Sequence, residues 1–207
     1  MYNNDEEEKE DGEDIKVILV GEPGTGKTSL ISVSVGEEFK EITNSTLLSN
    51  FVSKKFNKNG KNYILNIWDT AGQEKYHAVT KIFTKNAQIV IFVYAINSKK
   101  TMEGLQTYWF KSIKDVLGEE PIFGLVGNKY DLFMFEEVKE EEAKEYAQQN
   151  DMQFELTSAK EDAEGFIKFL SQLLDEYIEK KELGTKRQTI FINKDDNRDK
   201  KKRKCCK

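Results

Sequence analysis

The segment Gly21-Glu22-Pro23-Gly24-Thr25-Gly26-Lys27-Thr28 constrains the fold of this chain more than any other stretch. It follows Ile15–Val20, a β-branched and nearly all-apolar run of the kind that forms a buried parallel strand. A helix is expected to follow, from about Lys27 to Val35. A strand that turns through closely spaced glycines directly into a helix matches G-x-x-x-x-G-K-[ST] in its required context. Such a turn gathers backbone N–H groups and the positive end of a helix at one point.

The rest of the chain repeats the strand-and-helix alternation. Phe51–Phe56 and Asn62–Trp68 flank Lys58-Asn59-Gly60, and Asn-Gly between two strand-like runs predicts a hairpin, hence one antiparallel pair. Ile89–Ile96 and Ile122–Val126 read as buried strands, separated by a helical pattern through Leu105, Tyr108, Trp109, Ile113, Val116 and Leu117. A polar helix over Lys139–Gln149, a strand over Gln153–Leu156 and a last helix over Ala163–Lys181 complete the series. Right-handed crossovers between such strands give an α/β fold: a mainly parallel six-stranded sheet with one antiparallel strand and helices on both faces.

Three further segments lie at the carboxyl ends of strands, where open α/β sheets bind ligands. Around the glycine-rich turn, Gly24, Thr25, Gly26, Lys27, Thr28 and Ser29 are candidate phosphate-binding positions. Lys27 would reach β- and γ-phosphates and the Thr28 hydroxyl would ligate Mg²⁺, which makes a nucleoside triphosphate the ligand. That motif selects no base, and it does not distinguish phosphoryl transfer from hydrolysis. In Trp68-Asp69-Thr70-Ala71-Gly72-Gln73-Glu74, Asp69 could hold Mg²⁺ through water and Gly72 could present its N–H to a γ-phosphate. Gln73 has the donor and acceptor that orient an attacking water, so Gln73 and Lys27 are the catalytic candidates. In Asn128-Lys129-Tyr130-Asp131, a carboxylate can accept from the N1–H and N2–H₂ edge of guanine, an edge adenine lacks. Ser158-Ala159-Lys160 follows the last strand, where the Ala159 N–H could donate to guanine O6.

Through GEPGTGKT, DTAGQE, NKYD and TSAK in that order, the sequence resembles the Ras superfamily of small GTPases over roughly residues 15–181. The resemblance implies GTP and GDP as ligands with Mg²⁺, and hydrolysis of GTP. It implies that Thr46 joins Thr28 and Asp69 on the metal when a γ-phosphate is present, and that Phe39 packs against the guanine. Within the superfamily the chain is similar to Rab proteins: Trp68 before DTAGQE, the stretch Glu74-Lys75-Tyr76, the trio Phe51, Trp68 and Phe83, and adjacent cysteines near the end. That similarity implies an effector surface at the trio, which is otherwise a plain core cluster. It also implies exchange factors, activating proteins, prenylation and membrane-extraction chaperones as partners, a monomer, and vesicle trafficking. Only seven residues separate Asp131 from Lys139, too few for the insert helix of Rho proteins. Pro23 departs from the small residue common at its position in the family, and the resemblance implies that its ring lies where Gln73 or a partner's arginine would approach.

Charge sets the expected domain limits at 1–14, 15–183 and 184–207. Residues 1–14 hold eight acids and one lysine, and residues 184–207 hold ten bases and three acids. Both are expected as flexible extensions, the first disordered. No apolar run approaches the ~20 residues of a membrane span. Cys205 and Cys206 beside the basic run Lys200–Lys204 read instead as a lipidated anchor, each base contributing roughly 1 kcal/mol on an anionic leaflet. The expected location is therefore the cytoplasmic face of an intracellular membrane. A nucleic-acid role is disfavoured by the acidic balance of the folded part. Two competing readings share this sequence: a binding-only pseudo-GTPase, or a Ras-like signalling GTPase with impaired hydrolysis. An ATP-using P-loop enzyme is disfavoured by Asp131.

Overall fold

The computed structural model describes residues 12–40, 50–70, 84–118 and 120–202, with side chains through Gly184. Its six-stranded sheet consists of β1 (Glu13–Val20), β2 (Asn50–Lys58), β3 (Lys61–Asp69), β4 (Ile89–Ala95), β5 (Ile122–Asn128) and β6 (Gln153–Leu156), in the order β2-β3-β1-β4-β5-β6. Only β2 runs antiparallel, against β3, and every other pairing is parallel. This is the expected fold class.

The hairpin forms because Asn59 and Gly60 both take positive φ, 53° and 77°, the twist that a two-residue turn requires. Strands β4 and β5 are buried along their whole length, as central parallel strands covered on both faces must be. Helices α1 (Lys27–Ser34) and α5 (Ala163–Lys202) cover one face. Under them Ile15, Val17, Leu19, Leu65, Ile91 and Val126 pack against Leu30, Phe166, Phe169 and Leu173. On the other face lie α2 (Lys99–Gly104), a π-helical turn (Leu105–Trp109), α3 (Phe110–Leu117) and α4 (Glu140–Gln149). Their residues Met102, Leu105, Trp109, Ile113 and Ala143 pack on Ile18, Val20, Phe92 and Leu125.

Two features differ from expectation. The helix between β4 and β5 is interrupted by the π turn, which apolar spacing alone does not reveal. The last helix, expected to end at Lys181, runs to Lys202, so residues 184–202 of the expected flexible tail carry helical backbone. No proline follows Pro121, and the lone Gly184 is weak punctuation, disfavouring helix by only ~1 kcal/mol relative to Ala. Near its middle this helix is tied to the start of β1. Glu13 accepts from Lys181 Nζ at 2.6 Å, Lys61 Nζ at 2.7 Å and the Tyr177 hydroxyl at 3.2 Å. Partial burial raises the Glu13 pKa, but the two lysines outweigh it and hold the carboxyl below its usual value.

Candidate functional site

The strand order reverses between β1 and β4, and the glycine-rich loop leaves β1 at this switch point, where α/β sheets place their ligands. The loop's conformation belongs to glycine: Gly21, Gly24 and Gly26 have φ of 147°, 75° and 89°. At Gly21 the sheet itself demands it, because a Cβ there would lie 2.2 Å from the Val93 carbonyl oxygen. Gly26, left-handed at the start of α1, admits no Cβ either, since one would fall 2.2 Å from Asn128 Nδ2.

Lys27 folds back over the loop, and its Nζ donates to the carbonyls of Gly21 and Glu22, each at 2.9 Å. The Thr25 hydroxyl donates to the same Glu22 carbonyl at 3.0 Å. Burial pulls the Lys27 ammonium down to about 8, against the opposing pull of Asp69 and Glu22. An amine poised this way gains most from an incoming polyanion, whose charge restores the protonated form. In protein stripped of nucleotide, the native state thus binds fewer protons at Lys27 than the unfolded chain between about pH 8 and 10.5, so stability rises with pH through that window. The full shift corresponds to about 3 kcal/mol. Urea melts of stripped protein from pH 7.5 to 10 are expected to show the rise. Lys27→Met flattens it, and an unchanged slope in that variant contradicts the buried ammonium.

Asp69 ends β3 beside Leu19 of β1, and its Oδ2 accepts from the Thr28 hydroxyl at 2.7 Å. Thr70, the next residue, donates to the Leu19 carbonyl at 2.6 Å, which pins the exit of β3 against β1. Thr28 and Asp69 thus meet directly across 41 residues of chain. The residues expected to complete this corner, Thr46, Gly72 and Gln73, lie outside the described residues, as do Phe83, Cys205 and Cys206.

At the end of β5, Asn128 is 1% exposed and joins two loops. Its Nδ2 donates to the Thr25 carbonyl at 2.8 Å, and its Oδ1 accepts from the Ala159 N–H at 3.1 Å. Lys129 takes a left-handed conformation, φ 67°, which swings the chain so that the Tyr130 N–H bonds the Thr157 carbonyl at 3.1 Å. Asp131 Oδ1 then accepts from the Ser158 hydroxyl at 2.6 Å. Ser158 Oγ in turn receives the N–H groups of Lys160 and Glu161 at 3.2 and 3.1 Å. Burial lowers the Lys129 pKa while the Asp131 charge opposes that shift. The three separate motifs are thereby one hydrogen-bonded unit.

Phe39 is half-buried against the core cluster under α1. Phe51 and Trp68 face each other across β2 and β3 with rings 4.9 Å apart, Phe51 exposed, and Lys16 Nζ lies 5.0 Å from the Trp68 ring. Sequence reading missed two features of this end of the sheet. The turn Tyr130–Phe135 exposes Phe133, Met134 and Phe135 directly after the Asp131 loop; the run of apolar residues was the available signal. The Trp109 indole N–H donates to Glu22 Oε1 at 3.0 Å, a contact spanning 87 residues that no local pattern encodes.

A strand, a glycine loop wrapped by its own lysine, and a helix at the switch point of a parallel sheet define a phosphate-loop nucleotide-binding domain. Comparison with known proteins gives the particular family. A model described as the Ras family matches residues 16–180. Ras-related protein Rab-21 of Geodia cydonium is 38% identical over 163 residues, 77% of this chain and 71% of that one. Ras-related protein rab-11.1 of Caenorhabditis elegans is 35% identical over 175 residues, 84% and 82% of the two chains. Ras-related protein YPTC6 of Chlamydomonas reinhardtii is 32% identical over 203 residues, 92% and 94%. The chain belongs to the Ras family and is a small GTPase of the Rab type.

Proposed function

We propose that this GTPase is a switch in membrane trafficking that recruits effectors while GTP is bound and releases them after slow hydrolysis. The observation that carries the nucleotide reading is the Asn128 brace, which ties the phosphate loop at Thr25 to the Ala159 N–H beside the Asp131 carboxylate. One brace thereby sets the spacing between phosphate and base ends of a single ligand. In this reading Gly24, Thr25, Gly26, Lys27, Thr28 and Ser29 hold phosphates. Asn128, Lys129, Asp131, Ser158, Ala159 and Lys160 hold guanine, with Phe39 at its edge.

The Thr28 hydroxyl and the Asp69 carboxylate are hard oxygen donors already in contact, and they suit Mg²⁺, which takes few protein ligands and keeps phosphate and water oxygens. Thr46 is the proposed third protein group. When bound, the ion neutralises charge developing between the β- and γ-phosphates. Lys27 and the loop N–H groups stabilise the transferring phosphoryl, Gly72 donates to it and Gln73 orients the water. Turnover without an activating protein is on the order of 10⁻⁴ to 10⁻² s⁻¹. Phe51, Trp68 and Phe83 form the effector surface, and exchange factors, activating proteins and prenyl-binding chaperones are the further partners of a monomer. Cys205 and Cys206, lipidated beside the basic run, hold the protein on the cytoplasmic face of an intracellular membrane; among the described residues no helix is long and apolar enough to cross one.

Single-turnover cleavage of bound GTP tests the hydrolytic half of this reading. Gln73→Leu is expected to slow cleavage at least about tenfold with GTP affinity nearly unchanged, because water positioning acts in the transition state. The second reading, a switch that binds but does not cleave, is favoured by Pro23, which stands exposed on the phosphate loop. Under it the parent cleaves no GTP, Gln73→Leu changes nothing and Pro23→Gly restores cleavage.

A further inference from the structure

The second residue of the phosphate loop is held from outside the loop. Glu22 gives its carbonyl to both Lys27 Nζ and Thr25 Oγ1, so its backbone is the point around which the loop is wrapped. Its side chain points away from that wrapping, into the layer of helices on the opposite side of the sheet from α1. There Glu22 Oε1 accepts the Trp109 indole N–H at 3.0 Å, and Trp109 is 1% exposed and fixed in the core with Met102, Leu105 and Ile113. The carboxylate lies directly over Gly104: a Cβ at that position would fall 2.5 Å from Oε1 and 2.7 Å from Cγ. Gly104 and Trp109 bracket the π-helical turn Leu105–Trp109, so the irregular turn stands between the two residues that meet Glu22. π turns inside α-helices recur at functional positions. The Lys27 ammonium also feels the Glu22 carboxylate, which links the outside contact to the residue aimed at phosphate.

We propose that Trp109 is a positioning residue of the phosphate loop: through Glu22, seated on Gly104, it locks the loop in its nucleotide-gripping shape and slows nucleotide release. The inference rests on the reading of this loop as a guanine-nucleotide site and adds a regulatory element to it. Release requires the loop to open, and opening around the Glu22 carbonyl pulls its side chain off Trp109. The lock therefore acts on the departure of nucleotide more than on its encounter, as interface contacts commonly do. It also gives the helix carrying Trp109 a route to the phosphate end of the site. A partner that shifts this helix would loosen the loop without touching the nucleotide.

The test measures release of a fluorescent GDP from the full chain in Mg²⁺, with excess unlabelled GDP. Trp109→Phe keeps an aromatic ring and removes the N–H donor. It is expected to speed release about tenfold, equivalent to 1.4 kcal/mol, the scale of one charge-assisted hydrogen bond. Glu22→Ala is expected to do the same, and Glu22→Gln, which keeps an acceptor oxygen, to recover most of the slow release. In the Glu22→Ala background, Trp109→Phe should add little further, whereas effects that simply multiply would reflect two unrelated losses and overturn the proposal. Release at the parent rate from Trp109→Phe also overturns it.

A second measurement separates this inference from the function beneath it. The chain has two tryptophans, Trp68 and Trp109, so a ¹⁵N spectrum carries two indole N–H signals and Trp109→Phe assigns them. The Trp109 signal is expected to shift in Glu22→Ala while that of Trp68 stays in place. If the indole signal shifts but the parent holds no guanine nucleotide, the functional reading is wrong and the contact is structural only. If guanine nucleotide binds and the indole signal ignores Glu22, the lock alone is wrong.

Discussion

Gly26→Ala is expected to weaken nucleotide binding severely while leaving the sheet intact. The new methyl carbon would start 2.2 Å from Asn128 Nδ2, and the backbone at φ 89° already disfavours any side chain. Asn128 is nearly fully buried and cannot rotate away without giving up its bonds to the Thr25 carbonyl and the Ala159 N–H. Moving the loop instead displaces the amides that would face phosphate, and losing two hydrogen bonds to a charged group, about 1.5–3 kcal/mol each, is worth at least about a hundredfold. Affinity for GDP is therefore expected to fall at least about a hundredfold in equilibrium titration. Gly60→Ala is the control. It carries a similar φ of 77° in the β2–β3 turn but has open space around it, so it should lower stability by about 1–2 kcal/mol and leave binding unchanged. Parent-like affinity in Gly26→Ala would contradict the Asn128 brace.

Asp131→Asn is expected to exchange the base preference instead of removing binding. The Ser158 hydroxyl that donates to Asp131 Oδ1 at 2.6 Å can still donate to an amide oxygen, so the loop keeps its shape. In the proposed reading, what changes is the other side-chain position, from an acceptor for a guanine donor to an N–H₂ group. A site built to pair a donor rejects a ligand that leaves it unpaired strongly, by four orders of magnitude or more in favourable cases. GTP affinity should drop at least about a hundredfold and xanthosine triphosphate, whose O2 can accept, should gain. Equal GTP affinity in parent and variant removes Asp131 from the base-recognition role.

Much of this was legible in the sequence because the residues concerned obey local rules. Asn59-Gly60 announced the hairpin, since few other residues take positive φ twice in succession. The run Ile89–Ile96 announced a buried strand, since a run apolar on both faces suits a doubly covered position, and β4 fills it from Ile89 to Ala95. The site motifs were legible as separate strings, and their convergence followed from placing each at a strand's carboxyl end. Their mutual bracing was not legible: Asn128 reaches Thr25 over 103 residues and Trp109 reaches Glu22 over 87, and side-chain direction at that range is set by packing, not by spacing. The end of α5 was misjudged for the opposite reason. Lys181 ends the apolar stripe, but loss of a packing face does not stop a helix whose following residues include strong helix formers and no proline. The resemblance puts Phe39 at the guanine edge, while the residue type by itself reads as a core aromatic; the structure half-buries it against the core under α1.

The proposed function stands on base selectivity, and calorimetric titration measures it most directly. Protein stripped with EDTA and returned to Mg²⁺ is titrated in parallel with GDP, GTP, ADP and ATP. The account predicts one site per chain, sub-micromolar for both guanine nucleotides, with adenine nucleotides weaker by on the order of a thousandfold or more. Equal affinity for ATP and GTP, or no heat of binding with either guanine nucleotide, would contradict it.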